Sequence, residues 1–368
     1  MSVLGRIGRE DLVDLARGAS VLGTGGGGDP YIGRLMAEHA IAEHGPVDVV
    51  ALDAVPDDAF VLPVGMMGAP AVMVEKIPAG DEPARAIAAL ADALGRAPTH
   101  VACIEAGGIN SMIPIAAAAR AGLPLIDGDA MGRAFPELQM MLPTLDGVAA
   151  TPMSLVDEKG NSLIIRSVDN RWGERLARPT TVEMGGSATM AIYPMTGAQA
   201  KRGLIPETYS LARRLGRRLA DSRKEHVDPA AAAVDELAGV ELFRGKVADV
   251  SRQSTDGFVR GRAQLVGLGA WSERELSLDF QNEHLVAERD GETVASTPDL
   301  ICVLDAETGE PVTTESMRYG FRVAVLGVPC HPRWRTPGGL GLVGPRYFGY
   351  DLDYVPVERL AGSAERLG

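Results

Sequence analysis

Apolar residues recur at helical spacing in REDLVDLARGASVL (9–22), YIGRLMAEHAIAEH (31–44) and EPARAIAALADALG (82–95). Between and after them lie short continuous apolar runs: VDVVAL (47–52), AFVLPVG (59–65), HVACIEAG (100–107) and LPLID (123–127). These runs read as buried strands, and a further helix, MIPIAAAARAG, fits between the last two. Strands alternating with helices predict a sheet covered by helices, an α/β layer. TPMSLVDEKGNSLIIRSVD (151–169) then reads as a hairpin turning at DEKGN. Residues 196–239 hold two or three helices. From about residue 240 the texture changes to short, often alternating segments with polar turns, such as GFVRGRAQLVGL and DLICVLDAETGEPVTT. That pattern predicts a β-rich domain, a sandwich or small barrel. The expected division is an α/β N-terminal domain over 1–168 and a β-rich C-terminal domain over 169–368, with the helical segment 196–239 able to pack on the first.

Composition narrows the function classes. The chain has 368 residues, 46% hydrophobic and 23% charged, as in ordinary globular proteins. Its formal net charge of -13 argues against partners that need a basic face, nucleic acid and anionic membrane among them. No uncharged apolar run approaches membrane-spanning length. The first twenty residues carry Arg6, Arg9, Glu10, Asp11 and Asp14 and do not resemble a secretory signal. Cys103, Cys302 and Cys330 are far apart and odd in number, so no disulfide framework is implied. A cytoplasmic location is the expectation. Met- and Ala-rich stretches favour a homo-oligomer.

Candidate chemistry sits in four places. GTGGGGDPYIG (23–33) sets Gly25, Gly26, Gly27 and Gly28 before a helix that Asp29 and Pro30 are suited to open. The segment before these glycines is helical and no Lys-Ser/Thr follows them, so neither a dinucleotide fold nor a P-loop is indicated. The run is either a tight helix–helix turn or a backbone cradle for an oxyanion, carbonyl or phosphate. In GMMGAPAVMVEK, Glu75 stands in apolar surroundings. In CIEAGGIN, Glu105 lies in a buried strand and needs a partner, while Asn110 is either an N-cap or a ligand-binding group. LPLIDGDAMGRAFPELQ places Asp127 and Asp129 one glycine apart, followed by Arg133 and Glu137. Such a carboxylate pair suits a general base or a divalent metal. Capping by Asp129 with Arg133 beside it fits the same residues. His331, in VPCHPRWRTPGG, is a surface histidine, a zinc ligand or a general base.

Three stretches together, LGTGGGGDPYIG, IEAGGINSMIPIAAAARAGLPLIDGDAMGRAFPELQM and HPRWRTPGGLGLVGPRYFGYDLDY, resemble the S-methyl-thiohydantoin desulfurase-like family over nearly the whole chain. The resemblance implies an N-terminal α/β sandwich and a C-terminal barrel-like domain. It also implies hydrolysis at C2 of a thiohydantoin-type ring, releasing a thiol or sulfide from a small cyclic amide or thioamide. The motif positions it carries are Gly25–Gly28, Asn110, Asp127, Asp129, Arg133, Glu137 and His331; for that reaction we expect Asp127 or Asp129 as base, Asn110, Arg133 and His331 as further catalytic groups, and the glycine loop, Glu75 and Glu137 as substrate contacts. Asp127, Asp129 and His331 are the expected ligands of a zinc ion, if a metal is used. The alternatives are an ATP-dependent ring opener of the hydantoinase or oxoprolinase type, or a non-catalytic partner of such an enzyme.

Overall fold

The computed structural model describes residues 4–68, 72, 76, 78–255 and 258–364. Its first sheet has ten strands: β1 (Arg6–Ile7), β2 (Val47–Ala51), β3 (Phe60–Gly68), β4 (His100–Cys103), β5 (Leu125–Asp129), β6 (Met153–Val156), β7 (Ser162–Ile165), β8 (Ser187–Ala191), β9 (Met195–Thr196) and β10 (Ile205–Pro206). The spatial order is β1-β2-β5-β4-β3-β8-β6-β7, with β10 added to β5 and β9 to β3. β2, β5, β4 and β3 run parallel and the remaining pairs antiparallel. Helices Tyr31–His44, Glu82–Leu94 and Ile113–Ala121 pack on one another and on this sheet. Helix Leu12–Leu22 packs along helix Thr208–Lys224, whose start meets β5.

The second sheet is antiparallel: β11 (Val240–Thr255), β12 (Phe258–Gly267), β13 (Glu275–Gln281), β14 (Glu283–Arg289), β15 (Glu292–Ser296), β16 (Leu300–Asp305) and β17 (Arg322–Val328), in the order β15-β14-β13-β12-β11-β17-β16. It curls into a half-barrel. The two ends of the sheet approach where His284 Nδ1, on β14, reaches Ile301 O, on β16, at 3.1 Å. The α/β and β-rich architecture expected from the hydrophobic pattern is the one observed.

Side-chain alternation explains how the halves join. In β16, Ile301 and Val303 point into the barrel core, while Leu300, Cys302 and Leu304 join the core of the α/β layer. β17 repeats this, with Val323 and Val325 inward and Ala324, Leu326 and Val328 toward the layer. Successive residues of a strand face opposite sides, so a strand buried on both sides must be apolar throughout. ICVL and VAVL are such runs.

Three local differences from the sequence reading bear on the site. β4 stops at Cys103, leaving Ile104–Gly107 as a loop. β5 continues to Asp129, so both aspartates lie inside the strand on one face. Helix Asn170–Glu183 and β8, neither apparent in the sequence pattern, complete the first sheet's far side.

Candidate functional site

A cleft of about 920 Å³, including its open mouth, lies between the α/β layer and the half-barrel. The layer contributes the glycine loop, the end of β3, the loop after β4, the loop after β5 and helix Asn170–Glu183. The half-barrel contributes Val259, the Asn282–Glu283 corner and the loop Thr313–Glu315.

The glycine loop is a docking loop as well as a wall. Thr24 O accepts from His284 N, and Gly25 O from Thr314 N, both at 2.8 Å. A Cβ on Gly25 would overlap the His284 ring, and one on Gly26 would overlap the Glu283 carboxyl. Only glycine lets the barrel strand come this close. Gly27 O is taken by Ile109 N at 2.9 Å, which ties the loop to the turn after β4. The Gly28 amide meets no protein acceptor among the described residues.

Two buried carboxyl groups converge on the cleft, one from each half. Glu105 is 5% exposed and accepts from Asn110 Nδ2 at 2.6 Å. Burial raises it to about 8; the Asn110 hydrogen bond opposes this, and the charges of Glu283 and Asp129 add to it. Glu283 is 3% exposed, and its Oε2 has no hydrogen-bond partner among the described residues. Burial raises Glu283 to about 7, against the pull of Arg133 and the Gly27 amide. Both groups are raised toward neutrality, and Glu105 feels the charge of Glu283. Arg178 also lines the cleft. It is ion-paired to Glu174, donates to Pro136 O at 3.0 Å and lies 4.3 Å from the centre of the Phe258 ring.

The residues expected from sequence divide sharply. Gly25–Gly28, Asn110 and Glu137 are on the cleft wall. Asn110, however, has both amide hydrogens committed to protein acceptors. Its Oδ1 accepts from Met66 N at 2.6 Å, while its Nδ2 serves Met66 O and Glu105. It orients Glu105. Glu75 lies outside the described residues.

Asp127, Asp129, Arg133 and His331 do not line the cleft, and the structure places them in other bonds. Asp127 Oδ1 takes the amides of Tyr209 and Ser210 at 3.0 and 3.1 Å, and Oδ2 takes the Ser210 hydroxyl. It caps helix Thr208–Lys224 from the neighbouring strand, because the four first amides of a helix need outside acceptors. Asp129 Oδ2 gathers the amides of Ala106, Met131 and Gly132 at 2.8 to 3.2 Å, pinning two loops to the end of β5.

Arg133, fully buried, gives its Nε to Ala134 O, Nη1 to Pro298 O and Asp299 O, and Nη2 to Thr24 Oγ1 and His284 O. Those five bonds exhaust a guanidinium, so Arg133 staples the two halves and cannot clasp a substrate. His331 Nδ1 accepts from Arg333 N at 3.4 Å and caps its own turn. The expected zinc donors Asp127, Asp129 and His331 therefore do not fit a metal site. Among the described residues no three His, Cys, Asp or Glu side chains are grouped to hold one.

Glu283 and Arg178 went unnoticed in the sequence. Glu283 sits in an ordinary hairpin corner, FQNEHLV, and Arg178 in a helix without a clear apolar stripe. The usable signal for Glu283 is His284 beside it in an otherwise alternating strand.

Two family models match consecutive halves: the S-Me-THD-like N-terminal domain over residues 10–167 and the C-terminal domain over 168–357. The chain belongs to the S-Me-THD-like family. The crystal structure of a protein from Chromobacterium violaceum is similar to this S-Me-THD-like chain, with 27% identity, a TM-score of 0.77, and coverage of 96% of this chain and 99% of that one. No curated protein matches. No helix among the described residues is long and apolar enough to cross a membrane.

Proposed function

We propose that the protein hydrolyses a thiohydantoin-type five-membered ring at its sulfur-bearing carbon, with Glu283 and Glu105 as the acid–base pair. The observation that carries this reading is the convergence of two buried carboxyl groups, one from each half, on one cleft. Membership of a family named for S-methyl-thiohydantoin desulfurase supplies the substrate class. Met66, Met67, Met131, Met141 and Met190 give the cleft a polarizable thioether wall, which suits a sulfur-bearing ring.

In this mechanism the Glu283 carboxylate takes a proton from water as the water oxygen bonds to C2. Neutral Glu105 protonates the ring nitrogen that receives the C=N electrons. The C2–S bond then breaks, and Glu283 returns its proton to the departing thiolate. Glu105 removes the hydroxyl proton as the new carbonyl forms. Both carboxyls end as they began, and the net change is water plus an S-alkyl ring giving a hydantoin and a thiol. The Gly28 amide donates toward the developing charge. Asn110 keeps Glu105 in place, and Arg178 favours the ionised form of Glu283.

The test is thiol release from a panel of S-methyl-thiohydantoins, followed colorimetrically for the wild-type protein and Glu283→Gln. Release by the wild type and its loss in the folded variant is the expected result. No release by folded wild-type protein would sink the reading.

A further inference from the structure

We infer that Glu137 accepts a hydrogen bond from a ring N–H of the substrate and that Tyr347 is the residue that positions it; this rests on the thiohydantoin reading above. Glu137 lines the cleft. Its Oε2 is held from behind by the Tyr347 hydroxyl at 2.9 Å and by Gln139 Nε2, which also reaches the Tyr347 oxygen at 3.1 Å. Its Oε1 has no hydrogen-bond partner among the described residues. One oxygen is anchored and the other is left open beside the cleft.

The anchor is itself fixed. Tyr347 belongs to the turn Pro345–Phe348, packs edge-on against Phe348 at 5.4 Å and lies under the Arg171 guanidinium at 5.8 Å. Burial and the neighbouring Glu137 push its hydroxyl up to about 12, so it remains a donor throughout the working range. The open oxygen is a hydrogen-bond acceptor, so it selects a donor. In a thiohydantoin-type ring the donor is an N–H. Arg178 offers only donors and Glu283 and Glu105 serve the reaction; of the two other carboxylates lining the cleft, Glu137 and Glu315, Glu137 is the one whose far oxygen is anchored by hydrogen bonds. The site is thus specific for rings with a free N–H, and the C-terminal segment reaches the substrate through Tyr347.

The experiment compares two S-methyl-thiohydantoins alike except for methylation of the ring nitrogen, with wild type, Tyr347→Phe and Glu137→Ala, each checked for folding by thermal melting. Wild type should favour the N–H ring by about 10- to 100-fold in kcat/KM, the range of a hydrogen bond to a charged group. Tyr347→Phe should raise KM for the N–H ring by about 5- to 10-fold with kcat little changed, and leave the methylated ring's KM alone. Glu137→Ala should use both rings alike. Equal use of both rings by wild type, or an equal loss on both in Tyr347→Phe, overturns the inference while leaving the proposed reaction standing. Turnover of neither ring by folded wild type contradicts the reaction itself, and this inference with it.

Discussion

Two carboxylate pairs lie within the same α/β layer and its border, and they differ in where their hydrogen bonds go. Asp127 and Asp129, at the end of β5, face backbone amides: two on Asp127 and three on Asp129. Glu105 and Glu283, in the cleft, receive little. Glu105 has one side-chain amide, and Glu283 keeps an oxygen without a partner among the described residues, as Asp129 does at Oδ1. Burial raises all four carboxyls, and the amide donors oppose it: Asp129 rises to about 6, against about 8 for Glu105 and about 7 for Glu283. A carboxylate pair adjacent in sequence therefore ties loops and a helix to β5, and a pair 178 positions apart lines the cleft.

The largest effect expected is on Glu283. Glu283→Gln should lower kcat for thiol release by about 10²- to 10⁴-fold, the usual worth of a general base, with melting little changed. Asp127→Ala should do the reverse. It strips an acceptor from the start of helix Thr208–Lys224 and should cost about 2 kcal/mol of stability in denaturant titration, while the folded fraction keeps its rate.

The pH profile sharpens the same contrast. Glu283 must be ionised and Glu105 protonated, so kcat/KM should be bell-shaped, rising near pH 7 and falling near pH 8, as apparent values of the coupled pair. Stability should follow the same groups with a definite sign. Both carboxyls bind protons more tightly folded than unfolded. Their contribution is therefore fully present below about pH 4.5 and is lost as pH rises through 7 for Glu283 and 8 for Glu105. Glu283→Gln should flatten its share of that slope in thermal melts recorded across the range. The smallest effect belongs to His331→Ala, which removes one 3.4 Å cap contact and should change stability by less than about 0.5 kcal/mol and thiol release not at all.

Most of the fold was legible because its buried strands and helices carry clear periodicity, as in VDVVAL or DLICVLD. Helix Asn170–Glu183 was not. Its buried positions are Gly173, Glu174, Ala177 and Thr181, while Trp172, Leu176 and Val182 are exposed, so the apolar stripe that marks a helix points outward. β8, SATMA, lies wholly buried between β3 and β6 but is built of small and polar residues.

At the site, the sequence singled out the glycine loop and Glu137, and noted that Glu105 would need a partner. It assigned catalysis to the aspartates because adjacency in sequence suggested a shared task. Their amide partners come from residues 106, 131, 132, 209 and 210, and that convergence exists only in three dimensions. Glu283 was hidden for the same reason: its meaning comes from the glycine loop packed over it, some 255 residues away in the chain.

The most direct measurement is the rate of thiol release from an S-methyl-thiohydantoin at pH 7.5 by folded Glu283→Gln and by folded Asp127→Asn/Asp129→Asn. An inactive Glu283→Gln beside an active double aspartate variant is the result predicted. An active Glu283→Gln with a silent, folded aspartate variant would contradict it and return catalysis to the end of β5.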